Sequence, residues 1–228
     1  MKNRHLYLLV AFCIGFVTII NAQHRSYRIQ NGIGITGALT QFDIITDNFE
    51  TKASNGWLFG ASATVDIPHK WYNVSYSIQL SENKIDISLY QPNNISTAEF
   101  VEYKMFAAQI AFLGHIKIVK NYFTIDVGPM IQYNNELELQ DDAKENYIVS
   151  GYTNLSATDI SDISKFTASG VAGVSFGFPN FKLKAHYIYG FTNILKKLDD
   201  QNLDTSGSTE TKFKGNQSML VFGAMFSF

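Results

Sequence analysis

Ser218-Met-Leu-Val-Phe-Gly-Ala-Met-Phe-Ser-Phe228 is the stretch whose reading decides the fold. At period 2 it places Ser218, Leu220, Phe222, Ala224, Phe226 and Phe228 on one face and Met219, Val221, Gly223, Met225 and Ser227 on the other, the pattern of a β-strand. An apolar strand left open at the edge of a sheet invites pairing with other chains. A barrel has no such edge, because its last strand pairs with its first.

Working back from this stretch, the same period recurs seven times from Tyr27 onward. Strand 1, Tyr27 to Phe42, sets Ile29, Ile33, Ile35 and Leu39 against Arg28, Gln30, Gly34, Thr36 and Thr40. Strand 2, Gly56 to Ile67, sets Trp57, Phe59, Ala61, Ala63 and Val65 against Gly60, Ser62, Thr64 and Asp66. Strand 3 opens at Tyr72 with Val74, Tyr76, Ile78 and Leu80 on its apolar face. Near Asn83 its apolar residues change parity to Ile85, Ile87 and Leu89, which predicts a bulge there. Strand 4, Tyr103 to Ile118, sets Phe106, Ala108, Ile110, Phe112 and Ile116 against Gln109, His115 and Lys117.

A turn at Lys120-Asn121 leads to strand 5, Phe123 to Tyr133, with Thr124, Asp126, Gly128 and Gln132 on the polar face and Pro129 removing one ladder donor. Strand 6 runs from Phe166 to Phe178. After Pro179-Asn180, strand 7 runs from Phe181 to Thr192 with Lys182, Lys184, His186 and Gly190 on its polar face. The closing stretch is strand 8.

The connections after strands 2, 4 and 6 are short, and those after strands 1, 3, 5 and 7 read as long and polar, the longest from Asn134 to Ser164. An even strand number with short turns at one rim and long loops at the other predicts an all-β, eight-stranded antiparallel up-and-down transmembrane β-barrel, its turns periplasmic and its loops extracellular. The polar face is mostly Gly, Ser, Thr, Ala and Gln, as a crowded lumen requires, whereas a water-facing surface is rich in Lys and Glu. The apolar face is bulky and carries Tyr27, Trp57, Tyr72, Tyr122, Tyr133 and Phe181 near strand ends, where interfacial aromatic girdles sit.

The N-terminal segment has Lys2, Arg4 and His5, an apolar run from Leu6 to Ile20, and then Asn21-Ala22-Gln23, which predicts a signal peptide over 1–22 and a barrel domain over 23–228. Its loss removes Cys13, the only cysteine, and with it disulfide or thiol chemistry. Taking Lys2 and Arg4 from 18 basic residues leaves 16 against 20 acidic ones, a net charge of about −4 that does not suit nucleic acid. No later stretch reaches about 18 consecutive apolar residues, so membrane-spanning helices are not expected.

The closing stretch resembles the C-terminal strand of bacterial outer-membrane β-barrels, and the whole pattern resembles small barrels of the OmpA/OmpX type, the PorT-like group in particular. Gly223, Phe226 and Phe228 match the C-terminal assembly signal, while Val221 stands where a polar residue is usual. The resemblance implies residence in the outer membrane of a Gram-negative bacterium, with outer-membrane lipid and the barrel assembly machinery as partners. It also implies, for the PorT-like group, a place in an assembly for protein secretion or transport with an envelope partner protein.

The polar cluster expected in the lumen is Arg28, Asp66, His115, Lys117, Asp126, Lys182, Lys184 and His186. Lys117 and Asp126, on the two arms of the strand 4 to strand 5 hairpin, suggest a cross-strand pair. The cluster has two readings: a self-compensating plug, or a site whose basic surplus holds an anion or an acidic peptide. An open pore is not expected, since side chains fill eight strands and a channel takes roughly 16.

No Ser/His/Asp set points to the lipid side, and no cofactor, metal or catalytic residue is expected. The loop from Asn134 to Ser164 mixes Glu136, Glu138, Asp141, Asp142 and Glu145 with Tyr147, Ile148, Val149, Tyr152 and Leu155. It either caps the mouth or meets a partner. The expected function is that of a non-enzymatic envelope-structural or surface-interaction barrel acting through its loops. The alternatives are the secretion assembly and a lipid-modifying enzyme.

Overall fold

The computed structural model of the protein describes residues 30–66, 70–92 and 94–228. The expected signal segment, Tyr27 and Arg28 lie outside the described residues. The strands are β1 (Gln30–Thr46), β2 (Thr51–Asp66), β3 (Tyr72–Gln91), β4 (Asn94–Val119), β5 (Phe123–Asn134), β6 (Glu138–Leu139), β7 (Ile148–Val149), β8 (Phe166–Phe178), β9 (Phe181–Gly190) and β10 (Gly215–Ser227). One helical turn, α1, covers Lys196–Asp199.

Hydrogen bonding runs in the order β4-β5-β8-β9-β10-β1-β2-β3, and β3 pairs with β4, so eight antiparallel strands close into a transmembrane barrel. The closing pairing of β10 with β1 runs from Gly34↔Ser227 to Thr46↔Gly215. Beyond it, the Phe228 N–H donates to the Ile33 carbonyl at 2.8 Å.

The alternation seen in the sequence is realised on the outer surface. Ile33, Ile35, Phe59, Ile78, Leu80, Ile110, Ile131, Phe176, Leu183 and Phe222 all point out and are exposed. A continuous apolar belt of this kind exceeds the few hundred Å² a water-facing surface tolerates, and it matches a lipid-facing one. Aromatic pairs stand at the belt's lower rim, Tyr122 with Phe178 and Phe181 with Phe226, and Tyr133 pairs with Phe166 at the upper rim. Pro129 points outward, and the β4–β5 ladder passes from Ala111↔Met130 to Gly114↔Val127 where its missing N–H leaves no donor.

Two expectations are corrected at the extracellular end. The stretches after strands 1 and 3 are not loops: β1 continues to Thr46 and β2 begins at Thr51, while β3 continues to Gln91 and β4 begins at Asn94. β4 is 26 residues long, against the 9–11 or so that cross a bilayer, so the β3–β4 hairpin projects well beyond the membrane. Nor does β3 change phase at Asn83. Ser75, Ser77, Ser81, Asn83, Ile85, Ile87 and Leu89 all face inward and are buried, and the register with β4 is unbroken from Tyr72↔Ile116 to Tyr90↔Ala98. The irregularity lies in the facing strand, where β2 gains one residue between Ala53↔Ile85 and Trp57↔Glu82. Gly56 sits there because a Cβ would stand 2.0 Å from the Glu82 carbonyl oxygen.

What changes at Asn83 is the filling of the barrel. The segments 135–165 and 191–214 fold into its mouth, burying Leu137, Val149, Tyr152, Leu155, Ile160 and Ile163 from the first and Ile194, Leu195, Leu198 and Phe213 from the second. They pack on Phe42, Ile44, Ile85, Ile87, Tyr103 and Met105, and Tyr103 Oη donates to the Ala157 carbonyl at 2.9 Å. The inward face therefore turns apolar where an apolar cap meets it.

β6 pairs with β4 at Tyr103↔Leu139, and β7 with β3 at Leu89↔Val149, which covers the free edges of the projecting hairpin. Of the two readings of the long loop, capping is what its apolar residues do, with Tyr147 and Ile148 half-buried and the five acidic residues exposed. The two segments are tied by Asn154, which donates to Asp204 at 2.7 Å. Hydrogen bonds from Ser206 and Asn154 hold the Asp204 carboxyl down to about 2, so this tie is present at neutral pH and is lost as pH falls toward that value.

Ile78→Arg, in the middle of the lipid belt, is expected to cost about 2–4 kcal/mol in urea titrations of the protein in bilayers. Asp86→Asn, eight residues further along the same outward face but above the membrane, is expected to cost less than about 1 kcal/mol.

Candidate functional site

Inside the membrane half, the inward positions are small or amide-bearing because eight strands leave space for side chains alone. Gly173 shows the constraint: a Cβ there would meet the Ala185 carbonyl oxygen at 2.2 Å and His186 Cδ2 at 2.6 Å. Its absence admits the imidazole.

At the centre of the lower lumen is Asp126, with no exposed surface. Its Oδ1 accepts from His115 Nδ1 at 2.7 Å and from Thr124 Oγ1 at 2.7 Å. Its Oδ2 accepts from His186 Nε2 at 2.9 Å and from Ser175 Oγ. Four donors fill the roughly four acceptor positions of an ionised carboxylate, so the charge is stabilised by saturation of its oxygens. Because the carboxylate can only accept, His115 Nδ1 is the donor to it, and His115 Nε2 shares a hydrogen bond with Ser75 Oγ at 2.7 Å.

Above this cluster the strands contribute an apolar layer: Leu113 on β4, Met130 on β5, Val171 on β8, Ile188 on β9 and Val221 on β10. Beside it is a cavity of about 20 Å³, room for one water molecule. Higher still, an amide layer crosses the lumen. Gln109 Nε2 donates to Gln132 Oε1 at 2.9 Å and to Ser81 Oγ at 3.1 Å, Gln132 Nε2 donates to Gln217 Oε1 at 3.0 Å, and Gln217 Nε2 donates to Ser169 Oγ at 3.1 Å. All three glutamines are fully buried. Amide layer, apolar layer and cap close the passage three times over.

Below Asp126, Lys117 Nζ donates to Asp66 Oδ1 at 2.5 Å and to the Lys70 carbonyl at 3.3 Å, while Asn121 Nδ2 donates to Asp66 Oδ2 at 2.7 Å. The suggested Lys117 to Asp126 pair is therefore replaced by two others, since Asp126 lies opposite His115 and Lys117 opposite Thr124. Counting outward from the Lys120-Asn121 turn yields that register, so the His115 to Asp126 pair was open to sequence reasoning and was missed. Ser75, Thr124 and Ser175 were missed as well; among many lumenal hydroxyls nothing local distinguishes them.

Asp66, His115, Lys117, Asp126, Lys182, Lys184 and His186 all face the lumen. Arg28 lies outside the described residues. Lys182 and Lys184 stand apart from the pairs, with no hydrogen bond or ion pair to any described residue. Among the described residues no group of three His, Cys, Asp or Glu side chains is arranged to hold a metal ion.

Ser75, His115 and Asp126 form the hydrogen-bonded series of a hydrolase triad, but the Ser75 side chain is buried among lumen residues, beside a cavity with room only for water. No acyl chain fits there. At the C-terminal strand, Gly223 allows close approach to Ala38, whose Cβ would lie 2.5 Å from an added one. Phe226 packs on Phe181 with ring centroids 4.9 Å apart, and Phe228 is exposed.

The family model described as outer membrane protein beta-barrel domain matches residues 21–196. Among solved structures, the chain is similar to the crystal structure of Neisserial surface protein A, with a TM-score of 0.50 at 13% identity over 86% of this chain and 97% of that one. It is also similar to the Yersinia pestis outer membrane protein Ail, with a TM-score of 0.39 at 12% identity over 87% of this chain and 100% of that one. At such identities the likeness concerns the fold. No curated protein matches the sequence significantly.

Asp126→Asn places an amide where four donors converge and is expected to cost about 3–5 kcal/mol in urea titrations of the folded barrel, as for a broken buried ion pair. A loss below about 1 kcal/mol would show that the four hydrogen bonds do not hold the lower lumen together.

Proposed function

The chain belongs to the outer membrane protein beta-barrel domain family, and from that premise we propose that it works as a sealed, non-enzymatic barrel presenting a folded platform at the cell surface. The observation that carries this reading is the closure of the lumen by the Gln109, Gln132 and Gln217 layer beneath a packed cap. A conduit has no use for such layers. A platform does, because they fix the cap rigidly to the membrane-spanning wall. The acidic residues Glu136, Glu138, Asp141, Asp142 and Glu145 lie on the outside of the cap and give it a charged face for an envelope or surface partner.

Gly223, Phe226 and Phe228 serve in this reading as the signal for the barrel assembly machinery, and the segment 1–22 as the export signal. Membership of a secretion or transport assembly, which the PorT-like resemblance implies, is a second reading. It is favoured by a vestibule of about 500 Å³ that opens at the periplasmic rim. Stoichiometric co-purification of an envelope protein after mild detergent extraction would select it.

The platform reading is tested by conductance. The purified protein in planar bilayers is expected to show no discrete current steps, and a variant lacking 136–164 is expected to remain closed because the amide and apolar layers persist. Stable ion-conducting openings in either protein would contradict it.

A further inference from the structure

The periplasmic vestibule is bounded by Thr64, Asp66, Asn73, Asn121, Asn180 and Lys182, and its volume is about 500 Å³. Among the described residues, two charged side chains around it have no hydrogen-bond or ion-pair partner. Lys117 is committed to Asp66, whose second oxygen is taken by Asn121. Asp126, deeper in, has both oxygens filled by four hydroxyl and imidazole donors. Lys182 lines the vestibule wall, and Lys184, two residues further along the same inward face of β9, borders the small cavity beyond it. Neither ammonium group has a described partner. A second, independent feature is Asn73, which lines the vestibule, is only 4% exposed and has no partner among the described residues for its side-chain Oδ1. A buried amide acceptor without a donor costs free energy until something supplies one.

We propose that this vestibule is a binding site for the C-terminal end of a peptide chain. The terminal carboxylate is the direct ion-pair partner that Lys182, backed by Lys184, does not have among the described residues. The last peptide N–H is the donor that the Asn73 oxygen lacks. A bare anion such as phosphate answers the first feature alone, and an uncharged amide the second alone. A carboxylate with an adjacent N–H answers both, a mode of recognition in which chain ends are captured by preorganised polar groups. The site faces the periplasm, where chain ends of envelope proteins are available. It stands independently of the surface-platform reading, since the lumen above it is closed in either case.

The experiment uses the full folded barrel in detergent micelles, with N-acetyl-glycyl-glycine as probe, its C-terminal amide as control and inorganic phosphate as a third ligand, followed by calorimetry and side-chain NMR. The free acid is expected to bind and to shift the Asn73 side-chain amide signals, the C-terminal amide to bind at least about tenfold more weakly, and phosphate to leave Asn73 unmoved. Lys182→Gln with Lys184→Gln is expected to abolish binding, and Lys182→Arg with Lys184→Arg to restore most of it. Folding of each variant is verified by its heat-dependent shift on a detergent gel. Equal binding of acid and amide, survival of binding in the double Gln variant, or no binding of the free acid at millimolar concentration would overturn the proposal. None of these outcomes bears on bilayer conductance.

Discussion

Backbone N–H and C=O groups inside a bilayer find no water, so each is paired within the protein or costs several kcal/mol. The thirteen residue pairs between β1 and β10 meet that constraint by closing the sheet, and the rest of the structure follows from the closure. Eight strands curled into a ring leave an interior too narrow for anything but side chains. Small hydroxyl and amide residues are therefore required inward and bulky apolar ones outward. The buried carboxylates have their oxygens occupied by donors, Asp126 by two imidazoles and two hydroxyls and Asp66 by Lys117 and Asn121.

Much of this was legible in the sequence because period 2 is a local property: each of the eight ribbons shows which side is greasy before any of them is paired. The reading failed where the meaning of a face depended on distant chain. Ile85, Ile87 and Leu89 looked like a change of phase on the assumption that inward positions stay polar along a strand. Inward polarity is set instead by what fills the barrel at that height, and above the membrane the filling is Leu155, Ile160, Leu198 and Phe213, which arrive from segments far along the chain. The same non-local packing explains why 43–46, 51–55, 90–91 and 94–102 form strands although their composition reads as loop.

The polar cluster divides in the same way. His115 opposite Asp126 follows from the position of one turn, whereas Ser75 reaches His115 diagonally across the long β3–β4 pairing and His186 reaches Asp126 over Gly173 of the strand between them. Turn-derived register is local; convergence across a lumen is not. The result is a barrel with two chemistries stacked along one axis. Within the lipid it is apolar outside and polar inside except for the Leu113, Met130, Val171, Ile188 and Val221 layer, and above the lipid its interior is apolar under the cap. The long β3–β4 hairpin carries both without a break in register.

That inversion without slippage is tested most directly by a nitroxide scan along β3 from Tyr72 to Gln91, comparing collision with oxygen and with a water-soluble nickel complex. The expected result is that odd positions from Asn73 to Leu89 stay inaccessible to both, while even positions favour oxygen as far as Leu80 and the nickel complex from Glu82 to Asp86, with Ser88 shielded beneath Ser150. Accessibility passing from even to odd positions near Asn83 would contradict it, and with it the placement of the cap inside the barrel.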